Sequence, residues 1–492
     1  MIFLQLGPFR GFTSLAFTGV FLLCAGCAAV GPDYVKPKAA LSTQWNAGFT
    51  EGLKAGNPDP RILARWWECL DDPVLSGLIE RVITGNLDLA KANSRIRKAR
   101  ANRTIAKAGF FPTVNVTDAH AINRSSEQSG GGVEVETHST GLDASWELDL
   151  FGGVRREVEA AEADLNASRE DLHDVLVSMV AEAASSYVDV RTYQARLAVA
   201  EKNLQTQEET WQLTRSRGLA GLTADLAVQQ AKYNLENTRS QIPALRASLD
   251  ASMNRLAVLL GEQPGAVHLE LQTPKPIPVT PLEIAVGVPA DILRQRPDVR
   301  RAERELAAET ARVGVAVADL YPKLTLSGSI GVEALSFSDL FLPGSHAFSF
   351  GPGITFPLFN AGSLRAKVEV QSAVQEQALK AYEASILAAL EEVENALVSY
   401  AREQEKRRSL IEAAEAARAA AVLAENQYTS GMIGFSDVLE AQRSLLSFED
   451  LSVQSTGAVT SDLIRIYKAL GGGWTPLAEN GAHQVSRNHE TN

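Results

Sequence analysis

In the stretch "GMIGFSDVLEAQ" two carboxylates, Asp437 and Glu440, stand three residues apart. On a helix that spacing puts both on one face. Carboxylates crowded together repel one another and draw in cations, so the chemistry on offer is electrostatic. Catalytic chemistry has no comparable candidate. The sequence offers no Ser/His/Asp or metal triad, and the seven His residues show no spacing of the HExxH or CxxC kind. His138 and His346 fall in turn-like, strand-flanking sequence and read as solvated loop residues. The expectation is no enzyme, no cofactor and no metal.

Cysteine supplies the second reactive group. "GFTSLAFTGVFLLCAGCAAVGPDY" is an apolar run of signal-peptide length that ends in small residues at Cys27, with Arg10 as its only preceding cation. The run barely reaches the roughly 20 residues needed to span a bilayer. The end of the run resembles a bacterial lipobox, with Cys24 where Leu is usual. That resemblance implies cleavage of residues 1–26 and a covalent lipid (N-acyl, S-diacylglycerol) on Cys27. Residue 28 is Ala rather than Asp, so by the same resemblance nothing retains the lipoprotein at the inner membrane. Cys69 is then the one thiol left in the mature chain, which rules out an intrachain disulfide framework. In "WWECLDDP" it reads as a half-buried small apolar residue.

These residues must be positioned by a chain of 492 residues, 45% hydrophobic, long enough to bury a sizeable core. A net charge of −12 argues against a nucleic-acid partner. After the lipidated cysteine, residues 27–65 read as an extended arm. Helical patterning starts near Asp72 and runs to Ala108, with a break around Thr84 to Asn86. Two period-two runs joined by a Gly-rich loop then read as a β-hairpin over about 111–151. From Val154 to Arg217 there is neither Pro nor Gly, and helical spacing over that stretch gives a rod of roughly 95 Å. The chain turns a corner at about 217–224 and returns from Asp225 to Leu260, where Pro243 predicts a kink or break.

The same order recurs. Pro112 of "FFPTVNV" matches Pro322 of "LYPKLTL", Phe151 matches Phe359, Gly218 matches Gly431, and Gly261 of "LAVLLG" matches Gly471 of "IYKALG". Four ordered anchors spaced by nearly one period mark an internal duplication. The first repeat covers 66–265 and the second 289–472, with a linker at 266–288 and a polar tail at 473–492. The second hairpin falls at about 322–359 and the second corner at about 430–437. In the corners, Gly218 and Gly431 suit the left-handed position just past a helix end. Gly221 and Gly434 complete a Gly-x-x-Gly pair in each copy. Thr223 and Ser436 read as N-caps of the returning helices, and neither is followed by Glu at the third position of a capping box.

In the second hairpin, Leu324/Leu326 and Phe348/Phe350 alternate with small or polar residues, as strands with a lipid side and a wet side do. Four strands cannot close a barrel by themselves, and an open sheet in lipid leaves its edges unpaired at several kcal/mol per group. Strands that enter a membrane in this chain therefore require oligomerisation.

The motifs "GPDYVKP", "WWECLDDPVLSGLIERVITGNLDLAKA", "QIPALRASLDASMNRLAVLLG", "VPADILRQRPDVRRAERELAAETARVGVAVADLYP" and "GMIGFSDVLEAQRSLL" span Gly31 to Gly471. Across them the chain resembles the outer-membrane factors of tripartite efflux and secretion systems, the TolC-like proteins, and especially their lipoprotein branch. The resemblance implies a mixed α and β membrane protein that assembles as a homotrimer. Each protomer would give four strands to a twelve-stranded outer-membrane barrel and its long helices to a periplasmic α-helical barrel. It further implies a passive exit duct for small molecules, working with a periplasmic adaptor and an inner-membrane RND-type pump and lodged in outer-membrane lipid. The corners become periplasmic tips at which the adaptor docks (Gly218, Gly221, Thr223, Gly431, Gly434, Ser436). Tyr428, Asp437 and Glu440 match positions of the periplasmic gate, where three copies would ring the axis with acids. Ile433 stands where a gate Arg can occur, and Ala224 replaces an acid in the first corner. A type I protein-secretion duct would share this architecture. A structural coiled-coil envelope lipoprotein would share the anchor and rods but leave the paired hairpins unexplained.

Overall fold

The computed structural model describes residues 29–37, 44–56, 59–278, 284–287 and 289–474. The leader with Cys24, the lipidation candidate Cys27 and the tail from residue 475 lie outside the described residues. The strands are β1 (Leu53–Ala55), β2 (Thr113–Arg124), β3 (Glu134–Leu148), β4 (Ile284–Val286), β5 (Lys323–Ala334) and β6 (His346–Thr355). The longer helices are α1 (Pro73–Gly85), α2 (Leu87–Ala108), α3 (Gly153–Leu219), α4 (Asp225–Leu259), α5 (Pro297–Ala318), α6 (Ser363–Thr429) and α7 (Phe435–Ala469). No helix among the described residues is long and apolar enough to cross a membrane.

The duplication has one strict period. Helices α2 and α5 are both 22 residues long, α3 and α6 both 67, and α4 and α7 both 35. Their first residues move together, from Leu87 to Pro297, from Gly153 to Ser363 and from Asp225 to Phe435. The strand starts Thr113 and Lys323 keep the same offset. Phe151 and Phe359 depart from it and are therefore not equivalent. They lie in the connections to α3 and α6, whose sequences differ; Phe151 stacks on Tyr321 at 4.7 Å.

The chain divides into two compact units. The first gathers the arm up to residue 38 with 95–169 and 301–383, and it contains the sheet β2-β3-β5-β6, antiparallel throughout. His138 lies inside β3 and His346 opens β6, so neither is a loop residue; cross-strand pairing takes in both. The arm is tied down by polar contacts. Val30 N–H donates to Phe151 O, and the buried Arg156 donates to Val30 O and pairs with Asp33 at 2.7 Å. Gly31 sits at φ +89°, and a Cβ there would come within 2.4 Å of Gly314 Cα, so arm and helix touch backbone to backbone. Lys36 and Tyr34 both donate to Glu303, at 2.6 and 3.3 Å.

The second unit takes 39–94, 170–300 and 384–492. Its core packs α1 and the "WWECL" turn against α3, α4 and α7. Trp66 stacks on Tyr467 at 5.3 Å and meets Trp67 edge-on. Asp72 accepts from Val74 and Leu75 N–H to start α1, and it also accepts from the buried Tyr187 hydroxyl at 2.6 Å. Burial pushes the half-buried Cys69 thiol up and keeps it protonated. In the linker, β4 pairs in parallel with β1. Of the kink or break expected at Pro243, the break does not occur. Helix α4 runs through it, because Ile242 and Leu245 on either side are clamped against Ala200, Leu197 and Leu204 of α3.

Candidate functional site

The two corners are equivalent by the repeat offset, but in a register the glycine pattern alone did not select. Gly221 (φ +72°) and Gly431 (φ +75°) are the left-handed pair, and they keep that offset. Leu222 N–H donates to Arg217 O at 2.8 Å, and Met432 N–H donates to Gln427 O at 2.9 Å, the Schellman closure of each long helix. Gly218 is not at the left-handed position. It lies inside α3, and a Cβ there would sit 2.9 Å from Val228 of the returning helix.

The caps shift with the register. Ala224 and Gly434 are the N-caps of α4 and α7, so Thr223 precedes its cap and Ser436 lies inside its helix. Neither side chain caps. The second corner compensates through Asp437, whose Oδ2 accepts from Gly434 N–H at 3.0 Å while its own N–H donates to Gly434 O. That is the carboxylate half of a capping box, made with Asp rather than Glu; Gly434 has no side chain to supply the other half, and its backbone carbonyl takes the Asp437 N–H instead. In the repeat register the counterpart of Asp437 is Ala227, and Ala224 corresponds to Gly434.

Of the predicted gate residues, Tyr428 is half-buried while Asp437 and Glu440 are exposed. Glu440 pairs with Arg443 at 2.6 Å, so the two acids do not act as an isolated pair. Tyr428 is bracketed. Its ring lies 5.2 Å from Phe435, and the Arg217 guanidinium sits over it at 5.3 Å. A cation over an aromatic face is worth about 0.5–1 kcal/mol at such a half-exposed site. Arg217 lies in the last turn of the first long helix and Tyr428 in the last turn of the second, so this contact ties the two tips together; nothing in either local sequence announces it. Behind the tips, Gln442 donates to Thr210, Asn203 donates to Glu449, and Arg196 pairs with Asp450 at 2.7 Å. These polar rungs hold α3 against α7. Ile433 is half-buried at the second tip, beside the exposed Met432.

The sheet in the first unit sorts its side chains by face. Pairing register puts Val116, Leu142, Ile330 and Phe348 in one row, with Val114, Ala144, Gly328 and Phe350 in the next. Trp146, Leu326, Leu324 and Ile354 continue that face. The opposite face carries Asn115, Thr117, Asp143, Ser145, Ser327, Ser329 and Ser349. Phe348 is 84% exposed and Val116 77%. In water such a contiguous apolar face would be costly; against lipid it is the stable solution. Strands β2 and β6 each leave one backbone edge unpaired among the described residues.

The comparisons with known proteins agree with this arrangement. The outer membrane efflux protein family matches twice, over residues 78–262 and 288–472, and the two matches repeat the offset of the helices. The chain is 36% identical to nodulation protein T of Rhizobium leguminosarum bv. trifolii, over 94% of this chain and 97% of that protein. It is 32% identical to the pyoverdine export outer membrane protein OpmQ of Pseudomonas aeruginosa, over 94% and 97%. Among solved structures it is similar to the outer-membrane channel OprN, with a TM-score of 0.85 and 37% identity over 91% of this chain and all of that one. The chain belongs to the outer membrane efflux protein family and is an efflux channel component of the outer membrane.

Proposed function

We propose that three copies of the chain close into one passive exit duct. The observation that carries this is the four-stranded sheet with one apolar face, one polar face and two open edges. In lipid those edges demand partners, and three sheets joined edge to edge make a barrel of twelve strands. The Ser, Thr and Asn face lines its water-filled lumen. That lining has no pocket-forming aromatics, which suits conduction of varied small molecules rather than recognition of one. Relatives are named for pyoverdine export and for toluene efflux, and small exported compounds are the substrate class we assign.

The hairpin tips dock a periplasmic adaptor that links the duct to an inner-membrane RND-type pump. The Schellman-closed corners offer exposed Leu219, Leu222 and Met432 for that contact. Tyr428, Asp437 and Glu440 belong to the gate at the same end, and Cys27 carries the lipid anchor. Reconstitution tests the duct directly. The purified protein should migrate as a crosslinkable trimer and open discrete ion-conducting channels in planar bilayers, while a chain without conductance would contradict the assignment. Substituting Cys27 by Ala should abolish incorporation of labelled palmitate; labelling that persists would place the lipid elsewhere.

A further inference from the structure

Beyond the apolar rows, the turn end of the first hairpin carries a cluster that no sequence spacing disclosed. His120 and His138 face each other directly across the β2–β3 pair. Their rings stack in parallel, with centroids 4.5 Å apart and planes within 7°. Glu136, two residues before His138 and on the same face, puts Oε1 at 2.9 Å from His120 Nε2 and 3.1 Å from His138 Nε2. One ligand atom from each residue lies within 4.8 Å of the others. The His138 side chain is only 16% exposed, held on its other side by Phe337 at 5.8 Å. His120 and Glu136 are open to solvent, which leaves an entry path.

We infer that His120, Glu136 and His138 form a binding site for a divalent transition-metal ion of the zinc, nickel or copper class. Two ligands about 2.1 Å from one ion stand at most ~4.2 Å apart, and both His–Glu separations already fall inside that span. Two imidazoles and one carboxylate suit those ions, whereas magnesium and calcium prefer all-oxygen shells. Binding needs each ring as the neutral tautomer with its proton on Nδ1, so any proton that an Nε2 shares with the carboxylate moves to Nδ1 or to solvent. The rings turn out of their parallel stack until both in-plane Nε2 lone pairs meet at the ion. Three protein ligands leave room for water, so the site is a clamp across two strands rather than a closed structural centre. It pins the β2–β3 pair near the 125–133 turn. This inference does not depend on the duct reading, because every ligand belongs to one hairpin of one protomer.

The test uses the full-length, untagged, detergent-solubilised protein with His483 and His489 replaced by Ala, so that the tail contributes no imidazole. Titration calorimetry with zinc chloride should show one ion per protomer in the micromolar range, with no heat from magnesium chloride. His120→Ala and His138→Ala should each weaken zinc binding by roughly tenfold or more, since loss of even an outer-shell partner typically costs that much. His346→Ala, on another strand pair, should leave it unchanged. With copper(II), electron paramagnetic resonance should show two coordinated nitrogens in the parent and one in His120→Ala. Zinc affinity indifferent to both His substitutions, or no saturable binding below millimolar zinc, would overturn the site, leaving Glu136 as a plain acceptor for two histidines. Unchanged circular dichroism of the two His variants is expected, and the spectroscopic nitrogen count keeps the test decisive should one of them fold less well.

Discussion

Asn86 and Arg296, equivalent positions of the two repeats, make the same hydrogen bond in the two halves of the chain. Asn86 Nδ2 donates to Leu259 O, and Arg296 Nη1 donates to Ala469 O, both at 2.8 Å. Each acceptor is the last helical residue of a returning helix, where carbonyls lack intrahelical partners. The "RPDVRRAE" stretch therefore has a structural meaning. Arg296 also reaches Asp298 and Glu392, at 2.8 and 2.6 Å, and so ties the end of α7 to α5 and α6 in one side chain.

Removing Arg296 should accordingly be costly. Arg296→Ala leaves Asp298 and a buried carbonyl without this partner, while Glu392 keeps, among the described residues, only Lys468 at 3.8 Å. Because both carboxylates are partly exposed, the change should lower stability by about 1.5–3 kcal/mol, the range for hydrogen bonds to charged groups and short of that for a fully buried ion pair. Arg296→Lys should recover only part, since an ammonium cannot reproduce the planar fork. Asn86→Ala should cost less, because no charge is left behind. Denaturant unfolding of the detergent-solubilised protein ranks the three.

Acid should act through the same cluster. Burial pushes the Asp298 carboxyl up, but the Arg296 hydrogen bonds and charge outweigh it and hold the carboxyl below its ordinary value. A depressed folded pKa gives stability that is present above the unfolded pKa and lost as pH falls through the folded one. Asp298→Asn should thus be less stable than the parent at pH 7. The gap should shrink below the ordinary Asp range near pH 4 and vanish at still lower pH. Thermal melts from pH 7 to pH 3 provide the check, and a gap independent of pH would refute the linkage.

The two acids proposed for the gate should be separable. Asp437→Ala removes both a charge and the cap on Gly434 N–H, so it should loosen the start of α7 by about 1 kcal/mol as well as change conductance. Glu440→Ala removes charge alone and frees Arg443. The double variant should raise single-channel conductance and relieve block by multivalent cations. Hydrogen exchange at the α7 start should respond to Asp437→Ala and not to Glu440→Ala. Unaltered conductance and block in the double variant would exclude a lumen-facing role.

The glycines of the corners should likewise part company. Gly221→Ala and Gly431→Ala place a side chain at positive φ, with open space around it, and should cost roughly 1 kcal/mol. Gly218→Ala meets Val228 instead, so its cost should fall when Val228 is also cut to Ala. Proteolysis at the tips would register each change.

Much of the fold is legible in the sequence because its signals are local. Period-two runs mark the hairpins, a Pro- and Gly-free stretch marks the long helix, and recurring anchors mark the duplication. The corners are legible as corners, yet Gly-x-x-Gly can be aligned in two ways. The pattern favours Gly218 as the partner of Gly431, where the backbone pairs Gly221 with it. Backbone dihedral angles decide that, since only one glycine of each pair needs positive φ. At Pro243 the local reading allows a kink or a break, and the helix takes no break. Local propensity argues for a break, and packing on α3 overrides it.

What the tertiary structure alone decided are the contacts between residues far apart in sequence: Arg217 over Tyr428, Asn86 and Arg296 on their helix ends, His120 beside His138 and Glu136. Strand register sets the last of these. A shift of one residue would send His120 to the opposite face, and no spacing along the chain encodes that choice. The sequence by itself thus determined which elements exist and that they come twice; the pairing of those elements determined which side chains meet.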